Sequence, residues 1–388
     1  MKIIFYDDII FYMNSSILRA GPVVCAVDRE YQIMVPVNCE TLMSVSVNGK
    51  DYYCHSNGVR KSRCAVQKFT VPMAELDMSG GYTLRYRRVI SRQAYACLKG
   101  PLNVKTFAFR PLSNNRPVNV YVLSDTHGIR QAAIKSASFF RDDLDLLILN
   151  GDISSSCMTE EEAMLPYDIA YGVTGGSVPC VITRGNHDLR GRFSEELHEW
   201  LPSLNGRTYY PIDLGALLLL VLDCGEDKND DHREYGGTAV FHAMRMEETE
   251  FLRRFARSFD NHQPQQICHK LVVSHIPVPF RDHGISKGER PFDIENDIYS
   301  EWVDILNADV RPDLYIAGHL HRSELWRVDS PKNERRINCP VLITGVPVRG
   351  RQPDCIGAAL TVSKKEILIR FTDMNHTVIH TETICLGE

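Results

Sequence analysis

The chain has 388 residues, a net charge of −5 and a pI of about 6.3, with 44% hydrophobic and 24% charged residues. This length favours two domains, and the composition is that of a globular protein with a substantial core. The charge excludes the basic footprint of a nucleic-acid groove or of an anionic-membrane binder, and the longest apolar run (residues 214–222) is too short to span a bilayer. We therefore expect neither nucleic acid nor membrane as a partner; the sequence leaves the oligomeric state open.

The first 21 residues are predicted to be an N-terminal extension, which begins with the apolar stretch "MKIIFYDDIIFYMN". Asp7 and Asp8 interrupt this stretch and no cleavage site follows, so a leading strand or a start at Met13 fits better than a signal peptide. The twelve cysteines are scattered without a CxxC pair, which favours reduced thiols and a cytoplasmic location. Five of them lie within residues 25–97, so a disulfide there stays open.

Residues 22–112 are predicted to form an all-β sandwich. Short extended runs alternate with turn signals, and Asn48-Gly49 is typical of a two-residue hairpin. About seven strands at this spacing indicate a sandwich, and no amphipathic helix is obvious among them. The polar segment "RPLSNNRP" (110–117) is interpreted as the linker to the next domain.

Residues 113–388 are predicted to form an α/β domain with mixed sheets. Buried strands such as "VNVYVLSD" and "LDLLILNGD" alternate with helical segments such as "MEETEFLRRFARSF" and "IENDIYSEWVDILNA". Three or four further strands follow near the C-terminus. Strands that alternate with helices are typical of layered α/β folds.

Five of the predicted strands end in residue types that bind metals. The five motifs are "SDTHG" (124–128), "NGDIS" (150–154), "RGNHD" (184–188), "VSHIP" (273–277) and "AGHLH" (317–321). Ligands of α/β sheets bind at the carboxyl ends of strands. Residues two apart in an extended chain point the same way, so Asp125 and His127 can face one ion, as can His319 and His321. Nitrogen and oxygen donors without cysteine suit Mn²⁺, Fe or Zn²⁺.

The order D-x-H, G-D, G-N-H-D, H, G-H-x-H across residues 118–325 resembles the calcineurin-like metallophosphoesterases, which are hydrolases with two metal ions. The resemblance implies a four-layer α/β/β/α sandwich, here preceded by an immunoglobulin- or fibronectin-like β-sandwich. It implies two metal ions (Mn, Fe or Zn) bridged by Asp152. The ligands of the first would be Asp125, His127 and His321, and those of the second would be Asn186, His275 and His319.

The same resemblance implies that His187 acts on the leaving group, with Asp188 orienting its ring. Chemistry agrees, because imidazole can protonate an alkoxide and a hydroxide that bridges two ions can attack phosphorus in line. The expected substrate is a small phosphomono- or phosphodiester. Arg184 is a candidate phosphate contact, with a salt bridge as the alternative, and His283 is a candidate pocket residue.

The motifs of this chain resemble some groups of metallophosphoesterases more than others. A β-sandwich ahead of the catalytic domain is similar to the domain order of purple acid phosphatases. However, Ser155 stands where their tyrosine ligand would be, and the first motif here contains His127, a histidine that theirs lacks. The arginine pair of phosphoprotein phosphatases is also missing from these motifs, so bacterial-type phosphodiesterases and phosphomonoesterases are more similar. Hydrolysis of pyrophosphate or cyclic-nucleotide bonds, and a non-catalytic scaffold, remain the alternatives.

Overall fold

Two large β-sheets organise the protein in a computed structural model, which describes residues 16–113, 115–259, 269–281 and 294–386. The strands are short runs rich in β-branched and aromatic residues, most of them buried on one or both faces. The described strands are β1 (Val23–Val27), β2 (Glu30–Pro36), β3 (Thr41–Val47), β4 (Lys50–Tyr53), β5 (His55–Ser56), β6 (Val59–Arg60), β7 (Val66–Pro72), β8 (Gly81–Arg92), β9 (Cys97–Lys99), β10 (Asn103–Ala108), β11 (Val118–Leu123), β12 (Leu146–Asn150), β13 (Pro179–Thr183), β14 (Tyr210–Asp213), β15 (Leu217–Val221), β16 (His269–Val273), β17 (Leu314–Ala317), β18 (Glu324–Trp326), β19 (Val341–Ile343), β20 (Val346–Val348), β21 (Asp354–Val362), β22 (Glu366–Thr372) and β23 (Val378–Cys385).

The helices are amphipathic or apolar segments between these strands. They are α1 (Met73–Ser79), α2 (Arg130–Ala137), α3 (Glu160–Thr174), α4 (Leu197–Trp200), α5 (Phe241–Phe259) and α6 (Asn296–Ile305), with 3₁₀ turns at Arg141–Asp143 and His187–Leu189 and a π turn at Leu306–Val310. Among the described residues, no helix is long and apolar enough to cross a membrane.

Both sheets mix parallel and antiparallel pairs. The larger has the order β23-β22-β21-β11-β12-β13-β1-β2-β7, with β20 beside β21, and the smaller has the order β14-β15-β16-β17-β19-β18. β11, β12 and β13 are parallel, as are β15, β16, β17 and β19. The predicted α/β class with mixed sheets is confirmed.

In the central strands β11 and β16, alternate side chains belong to different hydrophobic cores. Val120 and Val122 of β11 share a core with Leu271 and Val273 of β16, which places apolar side chains between the two sheets. The opposite face of β11 packs with residues of α2 and α3, and the opposite face of β16 packs with residues of α5 and α6. Helices therefore cover the outer face of each sheet, and the strand ends between them are held in fixed register.

The N-terminal region is β-rich, as predicted. A five-stranded sheet of order β10-β8-β3-β4, with β9 beside β8, packs on β2 and β7. Asn48 and Gly49 have φ values of 48° and 81° and form the predicted tight turn between β3 and β4. The sequence did not reveal the helix described in this region: α1 follows Pro72 and ends at Ser79, and Gly80, with a φ of 62°, is its C-cap.

Hydrogen bonds connect the N-terminal region to both large sheets. β1 pairs in parallel with β13, with Cys25 opposite Cys180. The amide of Asp28 donates to Pro211 O at 2.8 Å, and the amide of Asp213 donates to Asp28 O at 2.9 Å. The domain boundary at residues 112/113 stays a prediction, and the larger sheet crosses it.

Candidate metal centre

All five sequence motifs meet at one end of the two sheets. Asp125 and His127 follow β11, Asp152 follows β12, and Asn186 follows β13. The smaller sheet contributes His275 after β16, and His319 and His321 after β17. These three residues complete the set of predicted ligands. The carboxyl ends of parallel strands thus bring together side chains that are far apart in sequence.

Several of these residues have an unusual backbone conformation. Asp125, His127 and Asp152 have φ values of 52°, 45° and 51°, and His319 and His321 have values of 67° and 50°. Non-glycine residues rarely adopt positive φ, and strain of this kind is concentrated at functional sites. The turns after β11, β12 and β17 therefore hold their side chains at a cost in backbone energy.

One cluster consists of Asp125, His127 and His321, whose ligand atoms lie within 4.8 Å of one another. Oδ1 of Asp125 lies 3.3 Å from Nε2 of His321 and 3.9 Å from Nε2 of His127. The two Nε2 atoms are 2.9 Å apart, so both rings point at the same place. Oδ2 of Asp125 accepts hydrogen bonds from Ser124 Oγ and from the amide of His319, which leaves Oδ1 to face the cluster.

A second cluster consists of Asp152, His275 and His319. Nδ1 of His275 lies 2.8 Å from Asn150 O, so this nitrogen carries a proton, and Nε2 faces Asp152 Oδ2 at 3.2 Å. Oδ1 of Asn186 is 3.1 Å from Nδ1 of His319, which adds the predicted amide to this cluster.

Asp152 lies between the two clusters. Its Oδ2 is 3.2 Å from His275 Nε2 and 3.8 Å from His127 Nε2. The backbone amide of His187 donates to Oδ1 at 2.8 Å and fixes the rotation of the carboxylate. His127, Asp152 and His187 also form a group within 4.8 Å, so Asp152 faces both sides.

The electrostatics favour cations at this place. Burial lowers the pKa of His275, but the charges of Asp152 and Asp125 outweigh it and raise the pKa to about 10. For His127 burial is the larger effect and lowers the pKa to about 4. Burial raises the pKa of Asp152, but the positive charge of His275 outweighs it and holds the pKa below its ordinary value. The carboxylate is therefore ionised, and a proton on His275 occupies a position that suits a metal ion.

Two buried atoms support a metal at this site. Asp125 Oδ1 and His275 Nε2 are buried and have no hydrogen-bond partner, although buried polar atoms are nearly always paired. Both atoms face the clusters, and both are good ligands for Mn, Fe or Zn. His321 is half-exposed, which leaves the site open to solvent on that side. The donor set therefore fits metal ions and leaves a route for substrate.

The structure corrects the predicted contact between Asp188 and His187. The Asp188 carboxylate is buried and accepts hydrogen bonds from the backbone amides of Asp152, Gly185 and Ser154 at 2.8, 2.8 and 3.3 Å. The ring of His187 instead places Nδ1 3.0 Å from Ser155 O. Burial, followed by the charge of Asp152, raises the pKa of Asp188 to about 7. Asp188 thus joins the second and third motifs and does not contact the His187 ring.

The two predicted substrate-binding residues have different outcomes. Arg184 is mostly buried and its Nε lies 2.5 Å from Oδ2 of Asp223, so it forms the salt bridge that was the alternative to a phosphate contact. Thr208 Oγ1 also donates to this carboxylate. His283 lies outside the described residues.

Sequence reasoning missed residues that approach the site from distant segments. Nη2 of Arg349, in the loop after β20, lies 3.4 Å from His127 O. Arg190 forms two hydrogen bonds with the buried Glu226 at 2.8 and 2.9 Å, which connects the segment after the third motif to the loop after β15. No local pattern could reveal these contacts.

Two glycines let backbone segments pass close to the ligands. A Cβ at Gly185 would lie 2.2 Å from Asp152 Oδ1, and a Cβ at Gly318 would lie 2.6 Å from Asp125 Oδ2. Any side chain at either position would push a ligand carboxylate out of place.

Comparison with known proteins gives a consistent result. A family model for calcineurin-like phosphoesterases matches residues 118–323, more than half of the chain. No curated protein sequence matches the chain. A purple acid phosphatase from yellow lupin (Lupinus luteus) seeds is 10% identical with a TM-score of 0.56, and the match covers 95% of this chain and 75% of that one. A solved structure of PhoD is 11% identical with a TM-score of 0.53, and the match covers 96% and 90%.

At such identities the two structures support the fold alone, whereas the family model covers all five motifs that supply the clusters. The chain therefore belongs to the calcineurin-like phosphoesterase family and is a hydrolase of phosphoric esters.

Proposed function

We propose that the protein is a phosphomono- or phosphodiesterase that uses two metal ions and needs no phosphoenzyme. The observation that carries the proposal is the pair of His/Asp clusters with Asp152 between them, in which buried ligand atoms lack other partners. When bound, two such ions supply hydroxide at neutral pH and stabilise the oxygens of an in-line displacement.

The ligands divide between the two ions as the distances suggest. Asp125, His127 and His321 would hold the first ion. Asn186, His275 and His319 would hold the second, with Asp152 shared by both. Only the two aspartates bring negative charge, so an occupied site keeps a positive charge that attracts a phosphate anion.

Arg349 would add a positive charge beside the first ion. Its guanidinium reaches the carbonyl of His127, and no ion pair with a described carboxylate competes for it. Arg184 and Arg190, by contrast, pair with Asp223 and Glu226. Arg349 can therefore turn towards a phosphoryl oxygen, where a charge-assisted hydrogen bond would help to bind the substrate.

His187 would donate a proton to the departing oxygen. A carbonyl can only accept, so the contact with Ser155 O means that Nδ1 carries a proton. This contact holds the ring, and the second proton of the imidazolium, on Nε2, is then the one to be transferred. Asp188 would act as a positioning residue through the backbone of the second and third motifs.

Metal-stripped protein, reloaded with Mn²⁺, Fe²⁺ or Zn²⁺, tests the proposal on p-nitrophenyl phosphate and its bis-ester, with cyclic nucleotides and a nucleotide pyrophosphate in the same panel. His187→Asn should slow hydrolysis, whereas His198→Asn is the matched control, because His198 is an exposed ring with a similar backbone contact at 2.8 Å. Absence of hydrolysis with every ion, in a protein that still binds metal, would overturn the proposal and favour a non-catalytic scaffold.

A further inference from the structure

A hairpin arm projects from the N-terminal five-stranded sheet. β3 pairs with β8 only as far as Arg88, opposite Thr41. The last residues of β8 continue and pair with β9, and the amide of Gln93 donates to Ala96 O at 2.8 Å to close the turn. We define the hairpin arm as residues 89–99. Two-stranded hairpins without a covering layer are marginally stable in water, so a partner surface would stabilise this one.

The arm exposes apolar side chains. Tyr95, at the tip, is fully exposed, and Leu98 and Ile90 are 60% and 42% exposed. Leu102, directly before β10, and Val104, in β10, are 48% and 54% exposed. Soluble proteins rarely concentrate exposed apolar residues in this way unless they form an interaction site.

The same segment is basic. Residues 87–105 contain five arginines and lysines and no aspartate or glutamate, although the whole chain has a net charge of −5. Arg92 and Lys99 lie in the arm itself, and Lys105 lies in β10; all three are exposed. Arg88 is buried, and Nη1 of Arg92 also donates to Ser62 Oγ at 3.2 Å. The net charge of the whole chain therefore conceals a local surface on which these three exposed cations lie.

We propose that the hairpin arm docks on the surface of a bilayer that contains anionic phospholipids. Tyr95, Leu98 and Ile90 would enter the boundary between head groups and acyl chains, where tyrosine is favoured. Arg92 and Lys99 would contact the lipid phosphates and carboxylates. The arm exposes a single aromatic ring, that of Tyr95, and its other large exposed apolar side chains, Ile90 and Leu98, are aliphatic. This composition favours a lipid surface over single-stranded nucleic acid, whose successive bases stack on several aromatic rings.

This proposal departs from the expectation, drawn from the charge and the apolar runs of the whole chain, that no membrane partner exists. It concerns peripheral docking, which requires no spanning segment. It also does not depend on the catalytic site, since no residue of the arm belongs to either cluster.

Co-sedimentation of the full chain with phosphatidylserine/phosphatidylcholine vesicles tests the proposal, with pure phosphatidylcholine vesicles in parallel. We expect binding to the anionic vesicles that weakens at high salt. Tyr95→Ser/Leu98→Ser should lower the partition coefficient about tenfold or more. Arg92→Gln/Lys99→Gln should lower it about 25-fold, from about fivefold per charge. In Tyr95→Trp, the indole emission should shift to the blue when anionic vesicles are added.

Two control pairs lie elsewhere on the surface. Val378→Ser/Ile379→Ser removes exposed apolar residues from β23, and Lys364→Gln/Lys365→Gln removes exposed charges from the turn before β22. Both pairs should bind vesicles like the unmodified protein, and all variants should keep their thermal midpoint and phosphoesterase activity. Equal loss in arm and control variants, absence of vesicle binding, or binding to single-stranded RNA in place of vesicles would each overturn the proposal.

Discussion

Replacement of Asp188 distinguishes the observed role of this residue from the role expected from the motif. The structure makes Asp188 an acceptor for three buried amides, two at 2.8 Å and one at 3.3 Å. Asp188→Ala would leave all three amides unpaired, at roughly 1–3 kcal/mol for each strong one. Removal of a buried carboxylate whose pKa is already raised to about 7 returns part of this free energy. We expect a net loss of roughly 2–4 kcal/mol in the free energy of unfolding.

Asp188→Asn sharpens the test. Its remaining oxygen can accept from the amides of Asp152 and Gly185, whereas its NH₂ group would oppose the amide of Ser154, so we expect a smaller loss of about 1–2 kcal/mol. Both variants should also bind Mn²⁺ more weakly, because the amides position the Asp152 carboxylate and the turn at Gly185.

The assay is urea unfolding of the metal-free variants together with calorimetric titration of Mn²⁺. If both variants keep normal stability and metal affinity, and lose only kcat with poor leaving groups, Asp188 acts on His187 as the motif suggests. That result would refute the structural argument.

Three further predictions concern single side chains. His187→Gln should slow hydrolysis of alkyl phosphates about 100-fold or more and affect p-nitrophenyl phosphate much less, since nitrophenolate departs without a proton; equal effects on both substrates in steady-state assays would contradict proton donation. Arg349→Ala should raise KM for a phosphomonoester about tenfold, with partial recovery in Arg349→Lys and no change in Arg351→Ala, and an unchanged KM would exclude a phosphate contact. Burial lowers the pKa of Lys68 to about 8, below its value in the unfolded chain. The folded state thus releases this proton first, and the stability of the unmodified protein relative to Lys68→Met should rise as pH increases from about 8 to about 10.5; urea unfolding across this range should detect the rise, and a flat difference would be contrary to it.

The sequence predicted which His and Asp side chains lie close together, because these residues stand directly after strands. The end of each strand fixes the position of the residues that follow it, and the parallel sheets then bring these ends together. Alternation did not predict the direction of His319 and His321, because both have positive φ and join different clusters. The contacts of Asp188 were less predictable, since adjacency to His187 in sequence does not determine which groups its side chain meets. Arg184 forms an ion pair with Asp223, which is 39 residues away in the sequence. Arg349 donates to the carbonyl oxygen of His127, which is 222 residues away. Such pairings depend on tertiary packing, which no local pattern encodes.

Local sequence patterns likewise predicted some features of the fold and not others. Alternation and turn residues indicated the β-rich N-terminal region, and its hairpin at Asn48-Gly49 is confirmed. The parallel pair of β1 and β13 joins segments about 150 residues apart, and no local signal announces it. The basic arm was hidden for another reason, because a charge summed over the chain averages opposite local charges.

The pairing of β1 with β13 has a consequence for how the chain folds during its synthesis. During synthesis β1 leaves the ribosome long before its partner exists, so one edge of the early sheet stays unpaired while the chain grows. An open edge of this kind can pair with other chains, and exposure lasts until residues 179–183 arrive. Molecules cut at residue 112 would never close it. Expression of either part alone is therefore expected to yield aggregates, and chaperone supply during translation should govern the yield of the whole protein.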